Sequence, residues 1–465
     1  MAIAKDPEAH TSARLRAVER IWEEAEAGRM DRAAAREQLK SIIWTRQPGV
    51  IRTRAIEVLL LDDREEGLAD TRNMLGLRLP TETDWSVIGL ICETAAARGW
   101  TDLTPAIVRS YARPVFEPAD DARPERRALE RLHPGVSVEE TVYRVFAARP
   151  APGLSELALE RAERARRDAW ELLGRLDPDG AARRDLLAAD DGDGGADPMI
   201  ATLRRSAREL RAVPVTGSEL EWVLRLQEPD AAAWWAEAAA AVGGLSEAQA
   251  QGLCVRHAEA VRWAARHRPA WVKAGREELL AELRSRLAGR RIYEREAEAG
   301  TATPARRERL RENEASLAWG DVLAILVIDE ALRDNGVVSA LFEQAETDRR
   351  DTSTEHGGVL VAAGLGEAGF RAVAYPPRPT QRVDDTTFIA PEDMFRQAPT
   401  ALAHYHFHVQ SVRNRAYAGP GPGDAEYANK HGRSCVVLTS LDENRLNVDY
   451  YQRGGAVVDL GAIER

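Results

Sequence analysis

The stretch Leu402-Ala403-His404-Tyr405-His406-Phe407-His408-Val409 decides how this chain is interpreted. Its composition predicts a β-strand over Leu402–Val409. Alternate side chains of a strand lie on the same face, so His404, His406 and His408 should share one side of a sheet. Three imidazoles on one face are unusual in a packed core, because each buried ring needs hydrogen-bond partners. The pattern therefore predicts a metal site on this strand.

The segments around this strand complete an α+β domain over residues 335–465. Upstream we predict a helix at Val337–Arg350 and strands at Val359–Ala363 and Ala372–Tyr375. Downstream, the predicted elements are a long Gly/Pro loop to Gly423, a short helix at Asp424–His431, a buried strand at Ser434–Ser440 and a hairpin around Gly454-Gly455. The predicted fold is multidomain, with an all-α region preceding this α+β domain.

Residues 1–334 are predicted to be helical. Apolar side chains recur at helical spacing in one long stripe: Ala158, Ala162, Ala165, Ala169, Leu172, Leu173 and Leu176. Capping-box spacing occurs at Ser137/Glu140, Ser218/Glu221 and Ser246/Gln249. An acidic, Gly-rich segment at 190–198 is predicted to be a linker, which divides this region into helical parts at 1–189 and 199–334.

Two stretches in the first helical part resemble the two-helix unit of HEAT-type repeats. The first contains Ile51, Arg52, Ala55 and Leu59, and the second runs over Ile91–Val108. No clean repeat period runs through the region, as a regular array would show. A helical solenoid and an irregular helical domain therefore both remain open.

Composition limits the classes of protein to consider. The chain has 465 residues and a net charge of −11. An acidic chain has little general attraction for phosphate backbones, so we expect no nucleic-acid binding. No apolar run approaches the ~18 residues of a membrane helix, and the start, MAIAKDPEAH, lacks a signal-peptide core, so we expect a cytoplasmic protein without membrane contact. Cys92, Cys254 and Cys435 lie far apart, which excludes a cysteine zinc cluster and a disulfide framework.

The imidazole cluster points to zinc as the cofactor. Imidazole suits several transition metals, and a catalytic zinc site has three protein ligands and a fourth position for water. A carboxylate on the following loop would be the natural third ligand, and Asp424 directly follows Gly-Pro-Gly-Pro-Gly. Asp424 also fits a plain N-cap of the short helix. Both roles hold together if one oxygen binds metal and the other caps.

These residues resemble the JAMM (MPN⁺, JAB-domain) zinc metallopeptidases over residues 335–465. The family pattern is a Glu before a strand, then His-x-His at the end of a strand, then Ser-x-x-Asp. This chain has Glu355-His356-Gly357-Gly358 before a strand, His406-Phe407-His408 in the histidine stretch and Gly421-Pro422-Gly423-Asp424 before a short helix. The resemblance does not extend to residues 1–334.

The resemblance implies a role for each matching residue. His406, His408 and Asp424 would be the zinc ligands. Glu355 would be the general base that takes a proton from the attacking water and passes it to the leaving amine. Taken alone, Glu355 also fits an ordinary surface acid. His404 would occupy a position that is aromatic in the family, where it would pack or support the ligands.

Three departures from the family pattern affect the predicted activity. Gly421 stands where the family has a Ser that resembles an oxyanion-stabilising donor. Val409 stands where the family has a Pro, and the loop that follows is longer than usual. We predict that Asn414, Arg415 or Tyr417 on this loop supplies a substitute donor.

Two main functions follow. The resemblance implies a zinc-dependent peptidase or isopeptidase, acting near the C-termini of ubiquitin-like modifiers or on other peptide amides. The helical region would then recruit the substrate or a protein partner. The alternative is an interaction scaffold, since family domains that lack the full motif serve as structural partners; Gly421 favours this alternative. A third option is that the helical region does the work and the C-terminal domain regulates it.

Overall fold

A computed structural model describes residues 2–115, 117–189, 197–294, 308–364 and 367–465. The chain forms two compact units, Met1–Pro178 and Asp179–Arg465. Most of the predicted linker, residues 190–196, lies outside the described residues, and Asp197 caps the helix that follows it. Residues 199–334 belong to the same compact unit as residues 335–465, although the two stretches differ in composition.

The first unit is all-helical over its described residues, as the sequence predicts. Its helices are α1 (Ala2–Lys5), α2 (Thr11–Glu26), α3 (Arg32–Trp44), α4 (Gly49–Leu59), α5 (Glu65–Arg78), α6 (Trp85–Arg98), α7 (Thr104–Ala112), α8 (Pro124–Leu132), α9 (Val138–Ala147) and α10 (Glu156–Leu176). The predicted apolar stripe lies on α10, where Ala165, Ala169, Leu172 and Leu173 are buried. Helix α10 packs on α7 and α9, so this stripe supports the core of the unit.

Most helices of the second unit precede the strands in the chain, and the last two lie between strands. They are α11 (Ala181–Ala189), α12 (Pro198–Glu209), α13 (Gly217–Arg225), α14 (Ala232–Gly243), α15 (Glu247–Ala250), α16 (Ala258–His267), α17 (Pro269–Lys273), α18 (Arg276–Leu287), α19 (Leu310–Asn313), α20 (Trp319–Ala331), α21 (Asn335–Arg350), α22 (Glu392–Gln397) and α23 (Pro422–His431). Over the described parts of both units, no helix has the length and apolar character needed to cross a membrane.

The capping predictions meet different outcomes. Ser246 and Gln249 form the predicted reciprocal pair at the start of α15. The prediction for Ser218 is wrong, because α13 begins two residues earlier than that cap requires, with Thr216 as its cap and Glu219 as the reciprocal partner. The Ser218 hydroxyl instead lies 2.6 Å from Nδ1 of His431, a long-range contact that local spacing does not reveal.

The described residues of the second unit contain one mixed six-stranded sheet, with the order β2-β1-β3-β4-β5-β6. The strands are β1 (Gly357–Ala362), β2 (Phe370–Ala374), β3 (Ala403–His408), β4 (Cys435–Asp442), β5 (Arg445–Tyr451) and β6 (Val457–Glu464). Strands β3 and β4 are parallel and every other pair is antiparallel. The parallel pair requires a crossover, which the long loop and α23 supply. The predicted order of α21, α23 and the six strands is confirmed, and the structure adds α22 between β2 and β3, which the sequence pattern did not predict.

The two faces of the sheet have different environments. One face shares a single apolar core with α16, α18, α20 and α21, and Tyr405 and Phe407 of β3 point into it. The opposite face carries the three histidines of β3, next to a smaller apolar cluster that includes Ala428 of α23 and Tyr451 of β5. Alternation along β3 therefore separates the core from the candidate site.

Candidate metal centre

The two histidines at the end of β3 bring their Nε2 atoms together. Nε2 of His406 lies 3.2 Å from Nε2 of His408, and both rings are buried. Strand β3 is central in the sheet, with His406 paired to Gly357 of β1 and His408 paired to Thr439 of β4. Pairing on both sides holds the backbone that carries the two rings, and the predicted common face is confirmed.

Asp424 reaches the same point from the first turn of α23. Its Oδ1 lies 3.1 Å from Nε2 of His406, and its Oδ2 lies 3.6 Å from Nε2 of His408. Oδ2 also accepts a hydrogen bond of 2.6 Å from the backbone N–H of Gly421. Gly421 is the N-cap residue and Asp424 is the third helical residue, so the carboxylate satisfies a free N–H of the helix start while it faces the histidines. Asp424 is therefore not the N-cap residue itself, although its Oδ2 supports the helix start, and its role as a metal ligand stays a prediction.

Contacts at Nδ1 orient the two imidazoles. Nδ1 of His408 lies 2.9 Å from the backbone carbonyl of Tyr417. A carbonyl only accepts, so Nδ1 carries the hydrogen and Nε2 of the neutral ring offers its lone pair to the site. Nδ1 of His406 faces the Tyr451 hydroxyl at 3.5 Å. Support of this kind at the second nitrogen is typical of metal-binding histidines.

The donor set fits a zinc ion. Ligand bonds of ~2.0–2.1 Å in a tetrahedral site place the ligand atoms ~3.3–3.4 Å apart. The two Nε2 atoms lie 3.2 Å apart, and a different oxygen of Asp424 faces each of them: Oδ1 lies 3.1 Å from Nε2 of His406 and Oδ2 lies 3.6 Å from Nε2 of His408. Two imidazoles with one carboxylate also match the chemistry of zinc sites that keep a position open for water.

Glu355 faces the same point from the segment before β1. It is buried, and its Oε1 lies 4.0 Å from Nε2 of His408, farther than the Asp424 oxygens lie from the two imidazoles. Glu355, His406 and His408 can also each present one ligand atom with all three atoms within 4.8 Å of one another. The predicted base thus stands at the rim of the predicted ligand set, near enough to act on a molecule held there.

The surroundings of Glu355 favour proton exchange near neutral pH. Burial raises the pKa of Glu355 to about 7, and the neighbouring Asp424 carboxylate adds to the rise, while His406 opposes it. A general base works best when its pKa lies near the operating pH. The electrostatics of the protein alone therefore suit Glu355 to accept and return a proton.

Gln410 is a residue of the site that the sequence did not single out. Its Nε2 donates to Oε1 of Glu355 at 2.6 Å and to the carbonyl of Asp385 at 2.7 Å. Its Oε1 accepts a 2.6 Å bond from Nδ2 of Asn414, which fixes which end of the amide faces Glu355. Position 410 continues the alternation 404, 406, 408 past the end of the strand, and this signal could have found it.

Charge is concentrated around His406. Burial opposes a charge on its ring, but Asp424 and other nearby carboxylates outweigh burial and raise the pKa of His406 to about 9. The pKa of Asp424 is held below its usual range by His406 and His408, against the effect of burial. A further buried acid, Asp348 of α21, has a pKa raised to about 8 by burial, with Glu355 adding to the rise. Sequence reasoning did not identify Asp348, because its place near the site depends on the packing of α21.

The loop residues predicted as oxyanion donors have other contacts. Nδ2 of Asn414 donates to the carbonyl of His408 and to Gln410, so it supports the site from behind. The Arg415 guanidinium lies over the ring of Tyr293, 5.6 Å from its centre. Tyr417 contributes its backbone carbonyl, and its side chain is 47% exposed. None of the three belongs to the lining of the cavity beside the metal centre, as far as the described residues show.

A cavity of about 220 Å³ opens beside the metal centre. Its lining includes Glu355, Thr386, Thr387, Phe388, His404, His406, Asp424, Tyr427 and Tyr451. The Phe388 ring lies parallel to that of His406, with 6.2 Å between ring centres. A Cβ at position 357 would lie 2.6 Å from the Phe388 ring and 2.5 Å from the carbonyl of Tyr405, so only glycine allows this close approach. The Gly after Glu355-His356 therefore shapes the wall of the site.

Comparison of the chain with models of protein families, with curated proteins and with solved structures found no match.

Proposed function

We propose that the protein is a zinc-dependent hydrolase of amide bonds, a peptidase or isopeptidase similar to the JAMM enzymes. The observation that carries the proposal is the convergence of His406, His408 and Asp424 at separations of 3.1–3.6 Å, with Glu355 at their edge. The site is formed by ligands on a central strand and at a helix start, with a buried acid before the neighbouring strand. It is open on one side. The cavity gives that side access to a substrate.

The residues of the chain divide the chemistry between them. Zinc bound at this site would supply a Lewis acid that activates water at neutral pH. Glu355 would accept a proton from the attacking water and return it to the nitrogen of the leaving amine. The amide Nε2 of Gln410 would hold the Glu355 carboxylate in place by donating a hydrogen bond to its Oε1. The aromatic wall at Phe388 would restrict water around the reacting groups.

The order of the elements supports the likeness to the JAMM pattern. The acid precedes β1, the His-x-His pair ends β3, and the Asp lies in the first turn of α23 before β4. By the same likeness, we propose that the substrate is a peptide or the C-terminal region of a ubiquitin-like protein. The helical first unit would then bind that substrate or a protein partner.

Zinc content and hydrolysis together test the proposal. Wild-type protein should bind one zinc per chain, and His406→Ala and His408→Ala should bind none, because each loses a ligand. Glu355→Gln should keep the zinc and lose hydrolysis of diubiquitin and of quenched fluorescent peptides. His267→Ala, a histidine near the end of α16, is the matched control and should behave as wild type. Metal-free wild type that takes up no zinc would end the proposal.

A second candidate, a zinc-binding interaction scaffold, is favoured by the glycine at position 421. Gly421 lacks the hydroxyl of the JAMM serine, and its N–H is engaged by Asp424. Its φ of −78° and ψ of 179° describe extended backbone that any residue adopts.

Gly421→Ser should therefore fold, and zinc content is measured beside hydrolysis of the same substrates. If a missing donor limits the enzyme, the variant gains up to ~100-fold in rate with its zinc retained. Zinc binding without hydrolysis in both wild type and Gly421→Ser would support the scaffold.

A further inference from the structure

The cavity beside the metal centre contains a nitrogen without a partner. His404 lies two residues before His406 on the same face of β3, and its ring lines the same cavity. The residue is only 3% exposed. Its Nδ1 lies 2.8 Å from the Tyr427 hydroxyl, but its Nε2 is buried and has no hydrogen-bond partner among the residues that the structure describes. An unsatisfied buried polar atom costs ~1–3 kcal/mol, so its presence calls for an explanation.

The contact with Tyr427 makes Nε2 of His404 the donor of the ring. Burial raises the pKa of Tyr427, so the phenol keeps its hydroxyl hydrogen. A phenol donates more readily than it accepts, so Tyr427 donates to Nδ1 and the hydrogen of the ring stays on Nε2.

Aromatic packing holds the His404 ring in place. Phe395 meets it edge-on with 5.5 Å between ring centres, and the Tyr427 ring centre lies 6.1 Å away. Phe395 is itself packed against His431, with 4.7 Å between ring centres. A ring fixed in this way keeps its N–H direction when a ligand is absent, as a preorganised recognition group does.

The spacing of the two histidines matches the repeat of an extended peptide. Residues two apart on a strand are separated by ~6.6–6.8 Å, and carbonyls two apart in an extended chain repeat over the same distance. A chain lying along β3 with one carbonyl at the metal centre would bring a second carbonyl on the same side toward His404. A single amide is too short to reach both points.

We propose that His404 is a substrate-recognition residue whose Nε2–H donates to a backbone carbonyl two residues from the amide at the metal centre. The ligand class is therefore an extended peptide with at least three consecutive carbonyls, rather than an isolated amide. The inference rests on the proposed function for the position of the reacting amide. The binding step itself is independent of hydrolysis.

Binding of two short probes to zinc-loaded Glu355→Gln protein tests the inference. The probes are N-acetyl-trialanine amide, which has the second carbonyl at the required spacing, and N-acetylglycine amide, which lacks it. Dissociation constants are measured by NMR titration in protein labelled with ¹⁵N-histidine, where the His404 Nε2 resonance should shift with the longer probe alone. His404→Phe should weaken the longer probe about 10-fold and leave the shorter probe unchanged.

Two further variants separate recognition from folding. His404→Gln keeps a side-chain N–H near the same place and should recover part of the lost affinity. His267→Phe changes a ring at the end of α16, outside the cavity lining, and should bind as the parent protein does. The inference is overturned if neither probe binds, if His404→Phe weakens both probes equally or neither, or if both His404 variants lose their zinc. Selective peptide binding in a wild-type protein that hydrolyses nothing would refute the proposed function and leave the role of His404 standing.

Discussion

Two buried clusters in the second unit have similar residues and different roles. The metal centre brings His406 and Asp424 together, with 3.1 Å between Nε2 and Oδ1. A second cluster, at the start of α20, brings His257 and Asp321 together, with 2.7 Å between the same atoms. Both pairs are largely shielded from solvent. Residue composition and burial therefore do not distinguish a candidate functional site from a purely structural cluster.

The direction of the hydrogen bonds separates them. The backbone N–H of Cys254 donates to Nδ1 of His257, so its Nε2 carries the hydrogen and donates to Asp321. Arg256 donates to Oδ1 of Asp321, and the N–H of Ala318 donates to Oδ2. In the candidate metal centre, the carbonyl of Tyr417 places the hydrogen of His408 on Nδ1. The lone pair of its Nε2 therefore faces Asp424 and Glu355. The two clusters therefore differ in the ring nitrogen that carries the hydrogen: in His257 it is the nitrogen that faces the carboxylate, and in His408 it is the nitrogen that faces away from it.

The largest expected effect is on stability, at the second cluster. Asp321→Asn should lower the free energy of unfolding of the second unit by about 3–5 kcal/mol, because Arg256 is left buried without its carboxylate. Urea unfolding of the metal-free protein measures the loss, and zinc uptake by the folded variant should be unchanged.

Asp424→Asn is the matched change at the metal centre. It should abolish zinc binding, because a carboxylate ligand is lost. The metal-free variant should also lose the stability that Asp424 gives to the charged form of His406, so zinc uptake, rather than stability, distinguishes the two variants. Zinc uptake by Asp424→Asn, or its loss in folded Asp321→Asn, would contradict the different roles of the two clusters.

The next effect concerns Gln410, whose amide hydrogen-bonds to both Glu355 and Asn414. Gln410→Ala should keep the zinc and lower hydrolysis by ~10–100-fold, because the Glu355 carboxylate loses the donor that positions it. The fall should appear in kcat with little change in KM. Gln251→Ala, on an exposed turn, serves as the control, and loss of zinc in Gln410→Ala would place Gln410 among the supports of the ligands instead.

The smallest effect is a pH dependence of the metal-free protein. The folded pKa of His406 is raised to about 9, from an unfolded value of ~6.5, so its contribution to stability is complete below ~6.5. That contribution is lost as the pH rises through 9, because the native state then gives up the proton that distinguished it from the unfolded chain.

Urea unfolding in EDTA at several pH values between 6 and 10 measures this loss. The loss of stability between pH 6 and 10 should be smaller in His406→Ala and unchanged in His267→Ala. Added zinc should reverse the trend, since zinc competes with the proton for the ring. A metal-free protein whose stability rises over this range would show that the site does not hold His406 in its charged form.

The sequence by itself determined the elements of the sheet and the common face of the histidines. The period of two along a strand is a local property, so it places His404, His406 and His408 on one side whatever the strand pairs with. Helical spacing and turn residues likewise predict α21, α23 and the final hairpin. Asp424 and Glu355 could be predicted as partners of the histidines because the order Glu, His-x-His, Asp along the chain resembles the JAMM pattern.

Only the tertiary structure decided which atoms meet and what each one does. Asp348 belongs to the site because α21 packs beside Glu355, and no local pattern encodes that packing. The alternation along β3 points to Gln410, but only the folded chain shows that its amide meets Glu355. The hydrogen on His408 is placed by a carbonyl nine residues away. Hydrogen bonds and burial between distant segments depend on how the whole chain packs. These contacts therefore distinguish the candidate metal centre from the His257–Asp321 cluster, although the two have similar residues.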